Sequence, residues 1–346
     1  MARFMGMLQK KYIVISALIF LLLPYSTALG NTCIKMSYNG APTIKDNPVH
    51  VFAIHFKYTI EQKTHGNVTI ELYPDSQLGN EQQRMQQVIN EPMINVASFG
   101  GMETIFPELF VTNIPFLFDS YKAAHIFFDS STTMQELRNN FLKLTGVQLL
   151  EVIEEGGFIA FTSTEPIKSP KDFKGQQFRA MDASQIAMYK AFGATGIPVP
   201  WTSVYTALES GMVDGQMNPP TYIILEKLYE VQQFLTLANV QYSNQFLLIN
   251  DSALQQLSKK EQKIVKKAAH QANNVTRMFV ESQVAKRIYF LEKEGGMTVY
   301  RPSPEEMEDF KRISTPSYLT WLRQQVPAKL IDQTIHDAQN ANHNAQ

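Results

Sequence analysis

Residues 177–219 read QFRAMDASQIAMYKAFGATGIPVPWTSVYTALESGMVDGQMNP, and this stretch decides the fold class. Its apolar spacing predicts short strands and helices in strict alternation. The predicted strands are 177–181, 197–199 and 213–217, the predicted helices are 184–192 and 202–210, and Pro219-Pro220 opens a further helix. Strands that alternate with helices predict a parallel sheet with crossover helices, which is the α/β class.

The same alternation is present on the N-terminal side of this stretch. Strands are predicted at 33–38, 68–73 and 94–99 and again at 147–153 and 158–162, with helices at 48–63 and 81–89. A chain of 346 residues fits two domains better than one. No Pro/Gly-rich linker separates the two halves, so we expect the lobes to be intertwined.

The C-terminal side adds connections between the lobes. Residues 241–250 form an apolar run long enough to be a strand that crosses from one lobe to the other. Ser258 and Glu261 form a capping box, and the helix that follows reaches about residue 294, where two glycines stop it. Such a helix would be about 55 Å long, which predicts a strut along both lobes.

These elements predict a set of boundaries. Lobe I comprises residues 31–155 with 245–284, and lobe II comprises residues 156–244 with 285–339. Ser303-Pro304 starts another helix in the second set. The polar tail, 340–346, is expected to be disordered.

The first thirty residues predict a secretory signal peptide. Arg3, Lys10 and Lys11 precede an eleven-residue run, 13–23, that is apolar except for Ser16. Small residues follow Pro24, and the run is short for a membrane span. The alternative is an anchor that stays attached.

Cleavage is expected after Ala28 or Gly30, which leaves 28 positive and 32 negative groups, a net charge of −4. The predicted location is therefore the periplasm. Cys33 is the single cysteine, so neither an intramolecular disulfide nor a cysteine-based metal site can form. Thr32 and Gly30 do not fit a lipidation signal, and we expect Cys33 to be a half-buried residue of the first strand.

The sequence lacks the charge or the motifs that several classes of protein require. The formal charge of −1 gives nucleic-acid binding no electrostatic support. No nucleophile elbow, metalloprotease motif or phosphate loop occurs, and the seven histidines are scattered. We therefore predict no catalytic residues, no metal and no cofactor, although a carboxylate pair assembled in space would escape a motif search.

The segment from Lys168 to Pro219 resembles the extracytoplasmic solute receptors of the tripartite ATP-independent periplasmic (TRAP) transporters, the C4-dicarboxylate-binding family. The similar motifs are KSPKDFKG at 168–175, QQFR at 176–179 and VDGQMNP at 213–219. YPDSQLG at 73–79, IPFLF at 114–118 and YEV at 229–231 are similar to further motifs of that family. The resemblance covers about residues 32–320. It implies a two-lobed periplasmic-binding-protein fold with a ligand cleft between the lobes.

The resemblance also implies ligand-binding residues. Arg179 stands where the family has an arginine that grips a ligand carboxylate, and its planar fork suits that task. Asn218 matches a cleft asparagine, and Trp201 matches an aromatic residue that packs on the ligand. The alternatives are a surface arginine, a turn residue before Pro219 and ordinary core packing.

Five further residues are weaker candidates. Asn39 lies where the family contributes a polar group from the first lobe, but it also fits an Asn-Gly turn. Ser98 and Phe99 end the third predicted strand, where parallel sheets place ligands, although strand-end packing is the alternative. Asp182 and Glu165 are acidic candidates that ordinarily would be solvated charges.

Departures from the family bear on the ligand. Sialic-acid-binding relatives have a second arginine in the segment that matches 162–167, where this chain has Glu165, and charged residues at the places of Ser98 and Gly101. We therefore expect a smaller acid than sialic acid, with an amine or hydroxyls that Glu165 or Asp182 would accept.

The function predicted is a periplasmic receptor that delivers a small organic acid to the small and large membrane subunits of a TRAP permease. It would act as a monomer and would not be an enzyme. A subunit that presents the solute to a sensor, and a secreted enzyme, remain alternatives.

Overall fold

The computed structural model describes residues 31–346. The predicted signal peptide, 1–30, lies outside the described residues. Among residues 31–346, no helix is both long and apolar enough to cross a membrane.

The described chain alternates strands and helices, as the sequence predicts. The strands are β1 (Thr32–Ser37), β2 (Val68–Tyr73), β3 (Ile94–Ala97), β4 (Val147–Phe158), β5 (Ala160–Ser163), β6 (Gln177–Ala180), β7 (Thr195–Pro198), β8 (Gly215–Asn218), β9 (Phe234–Thr236), β10 (Tyr242–Asn250) and β11 (Thr298–Tyr300). The helices are α1 (Pro48–Lys63), α2 (Glu81–Asn90), α3 (Phe99–Met102), α4 (Tyr121–Ser130), α5 (Thr132–Thr145), α6 (Ala183–Phe192), α7 (Val204–Glu209), α8 (Pro220–Leu225), α9 (Asp251–Gln255), α10 (Lys259–Lys293), α11 (Pro304–Leu322) and α12 (Ala328–Ala345).

Two sheets organise these elements, which confirms the α/β class. The first sheet has the order β2-β1-β3-β10-β4, and the second has the order β11-β9-β5-β8-β6-β7. In the second sheet β6 pairs in parallel with β7 and β8, as the alternation in 177–219 predicts. Strand β10 is antiparallel to both of its neighbours.

Two of the connections between the sheets lie side by side. Strand β4 of the first sheet leads into β5 of the second through Ile159, and Gln241 precedes β10 on the way back. The backbone N–H of Ile159 donates to the Gln241 carbonyl at 2.9 Å, so the two connections run side by side. Strand β10 itself lies wholly in the first sheet, so the crossing is at its start.

Helix α10 is the predicted strut. It has 35 residues, which corresponds to about 52 Å. Val265, Ala268 and Ala272 pack in an apolar cluster of the first sheet, and Leu291 packs in one of the second sheet. The helix therefore contacts both lobes, and its capping box at Ser258 and Glu261 is present.

The C-terminal region corrects two predictions. Residues 340–345 are helical rather than disordered, because α12 continues an apolar stripe as far as the buried Ala341. Tyr318, Leu330 and Ile331 belong to an apolar cluster of the first sheet. The C-terminal part of 285–339 therefore packs with lobe I, although the sequence-based boundaries place it in lobe II.

Three local predictions also need correction. Strand β3 ends at Ala97, and Ser98 precedes the short helix α3 instead of ending the strand. Strand β4 is continuous through Phe158, because it stays paired with β10 across two register shifts. Cys33 is exposed rather than half-buried, because its side chain lies on the outward face of β1.

A charged cleft between the two sheets

A cavity of about 350 Å³ lies where elements of both sheets meet. A recess of about 40 Å³ adjoins it and shares five lining residues with it: Asn39, Glu81, Arg179, Met181 and Trp201. Arg179 and Asn218 lie on β6 and β8, which run in the same direction, so both residues lie toward the carboxyl edge of the second sheet. Asn39 follows β1 of the first sheet. The cavity is therefore at the edge where parallel sheets place ligands.

Arg179 is anchored at one end and free at the other. The side chain is 2% exposed, and its Nε donates to the Val199 carbonyl at 3.0 Å. That is the one hydrogen bond of its guanidinium to residues 31–346, so both terminal nitrogens are available to the cavity. Burial lowers the pKa of Arg179, and the Glu81 carboxylate opposes that change. Guanidinium nevertheless stays charged at neutral pH.

Asn218 and Trp201 line the recess beside Arg179, as predicted. The Trp201 ring centroid is 6.0 Å from the Arg179 guanidinium carbon and 5.3 Å from the Tyr222 ring, which it meets edge-on. Asn218 donates from Nδ2 to Gln216 Oε1, and its other polar atom remains for a ligand. The aromatic ring and the amide thus flank the guanidinium.

The first lobe contributes Asn39 and Ser98. Asn39 Nδ2 donates to Glu81 Oε1 at 3.0 Å, and the Ser98 hydroxyl donates to the same oxygen. Asn39 also precedes Gly40, whose φ of +76° marks the turn that was the alternative interpretation. Asn39 therefore both begins a turn and lines the cavity, and its role in ligand binding stays a prediction.

Asp182 lines the cavity but is not a solvated charge. It caps α6, because its Oδ1 accepts from the backbone N–H groups of Ser184 at 2.9 Å and Gln185 at 3.1 Å. Its Oδ2 is buried and has no partner within residues 31–346. Burial raises the pKa of Asp182 to about 6, and the Ser184 hydroxyl partly offsets the rise.

Two predicted residues are not brought to the cavity. Phe99 packs against Phe110 and Phe246 in the core of the first sheet. Glu165 is exposed and follows β5, whose first residue, Ala160, lies opposite Asn218. Because β5 and β8 are antiparallel, Glu165 lies near the opposite edge of the sheet, where it does not line the cavity.

Sequence reasoning missed two carboxylates, Glu81 and Glu155. Glu81 is the first residue of α2, and the Asn80–Gln83 capping box was a visible signal for its position but not for the cavity it faces. Glu155 lies in β4 and accepts from Ser243 Oγ at 2.8 Å and from Gln245. Burial raises the pKa of Glu155 despite these donors.

A larger groove, of about 500 Å³, lies beside β4 and α10. Its two carboxylates already have partners: Asp129 accepts two bonds of 2.7 and 2.8 Å from Arg277, and Glu151 accepts from Asn273 at 3.0 Å. None of the predicted site residues lines it. The cavity at Arg179 is therefore the candidate binding site.

Comparisons with known proteins agree with this geometry. The profile of the DctP family, described as "Bacterial extracellular solute-binding protein, family 7", matches residues 41–325. The 2,3-diketo-L-gulonate-binding periplasmic protein YiaO of Escherichia coli is 32% identical over 265 residues, which are 75% of this chain and 79% of that protein. The sialic acid-binding periplasmic protein SiaP of Vibrio cholerae is 30% identical over 286 residues, 82% of this chain and 84% of that protein.

A solved structure is also similar. The periplasmic ectoine-binding protein of the TeaABC TRAP transporter of Halomonas elongata has a TM-score of 0.83 at 27% identity, and the match covers 89% of this chain and 99% of that chain. The family profile spans most of both sheets and includes Arg179 and Asn218. The resemblance to TRAP receptors is confirmed, and the chain belongs to the bacterial extracellular solute-binding proteins of family 7.

Proposed function

We propose that this protein is an exported receptor that binds a small organic acid at Arg179 and delivers it to the small and large membrane subunits of a TRAP permease. The observation that carries the proposal is the buried guanidinium whose terminal nitrogens have no hydrogen-bond partner in residues 31–346. A fork of this kind matches a carboxylate in two parallel hydrogen bonds. The relatives named above are described as binding 2,3-diketo-L-gulonate, sialic acid and ectoine, and each of these compounds has a carboxyl group.

The surroundings of Arg179 support a receptor. The cavity volume of about 350 Å³ suits a small molecule. Residues of both lobes line it, so closure of the lobes around a solute would bury the carboxylate and strengthen its bond to the guanidinium. A receptor releases its solute unchanged, which distinguishes this role from that of an enzyme.

Thermal unfolding of residues 31–346 against a panel of organic acids tests the proposal. A ligand at about a hundred times its Kd should stabilise the fold by roughly 2.7 kcal/mol. Stabilisation that disappears in Arg179→Ala supports a carboxylate receptor, and stabilisation that persists in that variant removes Arg179 from the site. Recovery of chemically altered solute from the denatured complex would argue for an enzyme.

Delivery needs a second measurement. Solute uptake into vesicles that contain both membrane subunits should depend on the wild-type receptor and should fall to background with Arg179→Ala. Uptake that does not respond to the receptor would contradict the transport role and leave the binding role intact.

A further inference from the structure

The cavity holds two opposite charges that face each other without pairing. Arg179 and Glu81 both line the cavity and its recess. No nitrogen–oxygen contact within 4.0 Å joins them among residues 31–346. The two charges nevertheless interact, since Glu81 is the largest influence that keeps the pKa of Arg179 from falling further.

Each of the two side chains is held back by its own hydrogen bonds. Val199 fixes Nε of Arg179, whereas Asn39 and Ser98 both donate to Oε1 of Glu81. The terminal nitrogens of Arg179 and Oε2 of Glu81 make no hydrogen bond with residues 31–346. The cavity therefore offers a donor fork and, apart from it, a free acceptor.

The charge of the lining is unbalanced. Four carboxylates line the cavity and recess, and Arg179 is the single cation among the described lining residues; the carboxylates belong to Glu81, Glu103, Glu155 and Asp182. A second carboxylate on the ligand would face Glu81 in a partly desolvated space, where like charges repel strongly. A hydroxyl would satisfy Oε2 of Glu81 but would add no positive charge to the lining, where the buried Arg84 of the same helix already interacts with that carboxylate. A cationic nitrogen meets both requirements.

We infer that the ligand is a zwitterion, whose carboxylate binds Arg179 and whose cationic nitrogen binds Glu81. This inference rests on the proposed function, because it takes the carboxylate at Arg179 as given. Glu81 then acts as the second recognition residue, and it selects ammonium or amidinium acids over dicarboxylates. Glu165, which the sequence suggested for this role, does not line the cavity.

Isothermal titration calorimetry of the ligand-free protein with matched compounds tests the inference. Succinate, 4-hydroxybutyrate and 4-aminobutyrate share a four-carbon chain and differ at one end, and ectoine adds a cyclic amidinium acid. We expect a zwitterion to bind at least tenfold more tightly than the dicarboxylate and the hydroxy acid. A panel in which no zwitterion binds, or in which succinate binds most tightly, overturns the inference.

Substitution of Glu81 gives the second arm. Glu81→Gln keeps an acceptor oxygen but removes the charge, so zwitterion affinity should fall at least tenfold while hydroxy-acid affinity changes by less than threefold. Glu81→Asp keeps the charge and should retain zwitterion selectivity, which separates a charge effect from misfolding. Glu91→Gln is the matched control, because Glu91 is exposed at the other end of α2.

The two proposals fail separately. Unchanged zwitterion affinity in Glu81→Gln overturns the role of Glu81 but leaves the carboxylate receptor in place. Acid binding that survives in Arg179→Ala overturns the proposed function itself, whatever Glu81 does.

Discussion

Substitution of Arg179 by lysine tests whether the guanidinium fork, rather than its charge, recognises the ligand. The two terminal nitrogens of Arg179 are free toward the cavity, and its Nε bond to Val199 at 3.0 Å fixes their direction. A carboxylate would accept one bond from each terminal nitrogen. Lysine keeps the positive charge but has neither the fork nor the Nε donor, so it would make one of these two bonds.

The magnitude follows from the bond that is lost. A hydrogen bond to a charged group contributes about 1.5–3 kcal/mol, so Arg179→Lys should weaken binding by roughly 10- to 150-fold. The change should appear mainly as a faster dissociation rate, because charge steering toward the cavity is preserved. Losing the Nε donor to Val199 should also lower the free energy of unfolding of the empty protein by about 1 kcal/mol.

Calorimetric titration with any acid that stabilises the wild type measures the affinity, and stopped-flow fluorescence of Trp201 measures the rates. Arg312→Lys is the control, because Arg312 forms an exposed pair with Asp309 on α11. A Kd for Arg179→Lys within threefold of the wild-type value would refute the bidentate geometry and leave only a point-charge interaction.

Three further substitutions test the stability of the fold. Burial raises the pKa of Asp182 from 3.8 to about 6, so ionisation of this carboxyl group disfavours the folded state. As pH rises from about 4 to about 7, the free energy of unfolding of the wild type should fall by up to about 3 kcal/mol relative to that of Asp182→Asn. Urea unfolding at several pH values measures this, and parallel pH profiles would contradict it. Gly157→Ala should lower the free energy of unfolding by about 1–3 kcal/mol, because φ is +91° there and a Cβ would lie 2.5 Å from Tyr121 Oη. An unchanged midpoint in chemical unfolding would show that the backbone at the end of β4 accommodates the methyl group. Ile331→Ala should lower the free energy of unfolding by about 2–5 kcal/mol, since Ile331 is a fully buried residue of α12. A loss below about 0.5 kcal/mol in the same assay would mean that α12 is not part of the cooperative fold.

The fold was predictable where it depends on local pattern. The alternation in 177–219 predicts β6, β7 and β8 with their crossover helices, and the capping box at Ser258 predicts the start of α10. These signals are local because periodicity, caps and turns act within one or two turns of chain. The prediction of disorder for residues 340–346 was wrong because their polar sequence has no local helix signal. The helix there depends instead on the packing of Ala341 in an apolar cluster of the first sheet.

The site was predictable in part. The resemblance to the family predicted Arg179, Asn218, Trp201 and Asn39, and the end of the third predicted strand suggested Ser98. The structure brings all five to the cavity or its recess. Their role in binding stays a prediction. Asp182 lies there too, although its buried state was not expected.

The sequence by itself determined the α/β alternation, the long helix and the arginine that a carboxylate would need. Only the tertiary structure decided which acids face that arginine. Glu81 begins a helix of the first lobe, and Glu155 lies on the strand that leaves it. Glu165 is nearer to Arg179 in sequence than either of them, yet it lies near the far edge of the second sheet. Charges act through space, and the distances between them are set by how the two sheets pack rather than by separation along the chain.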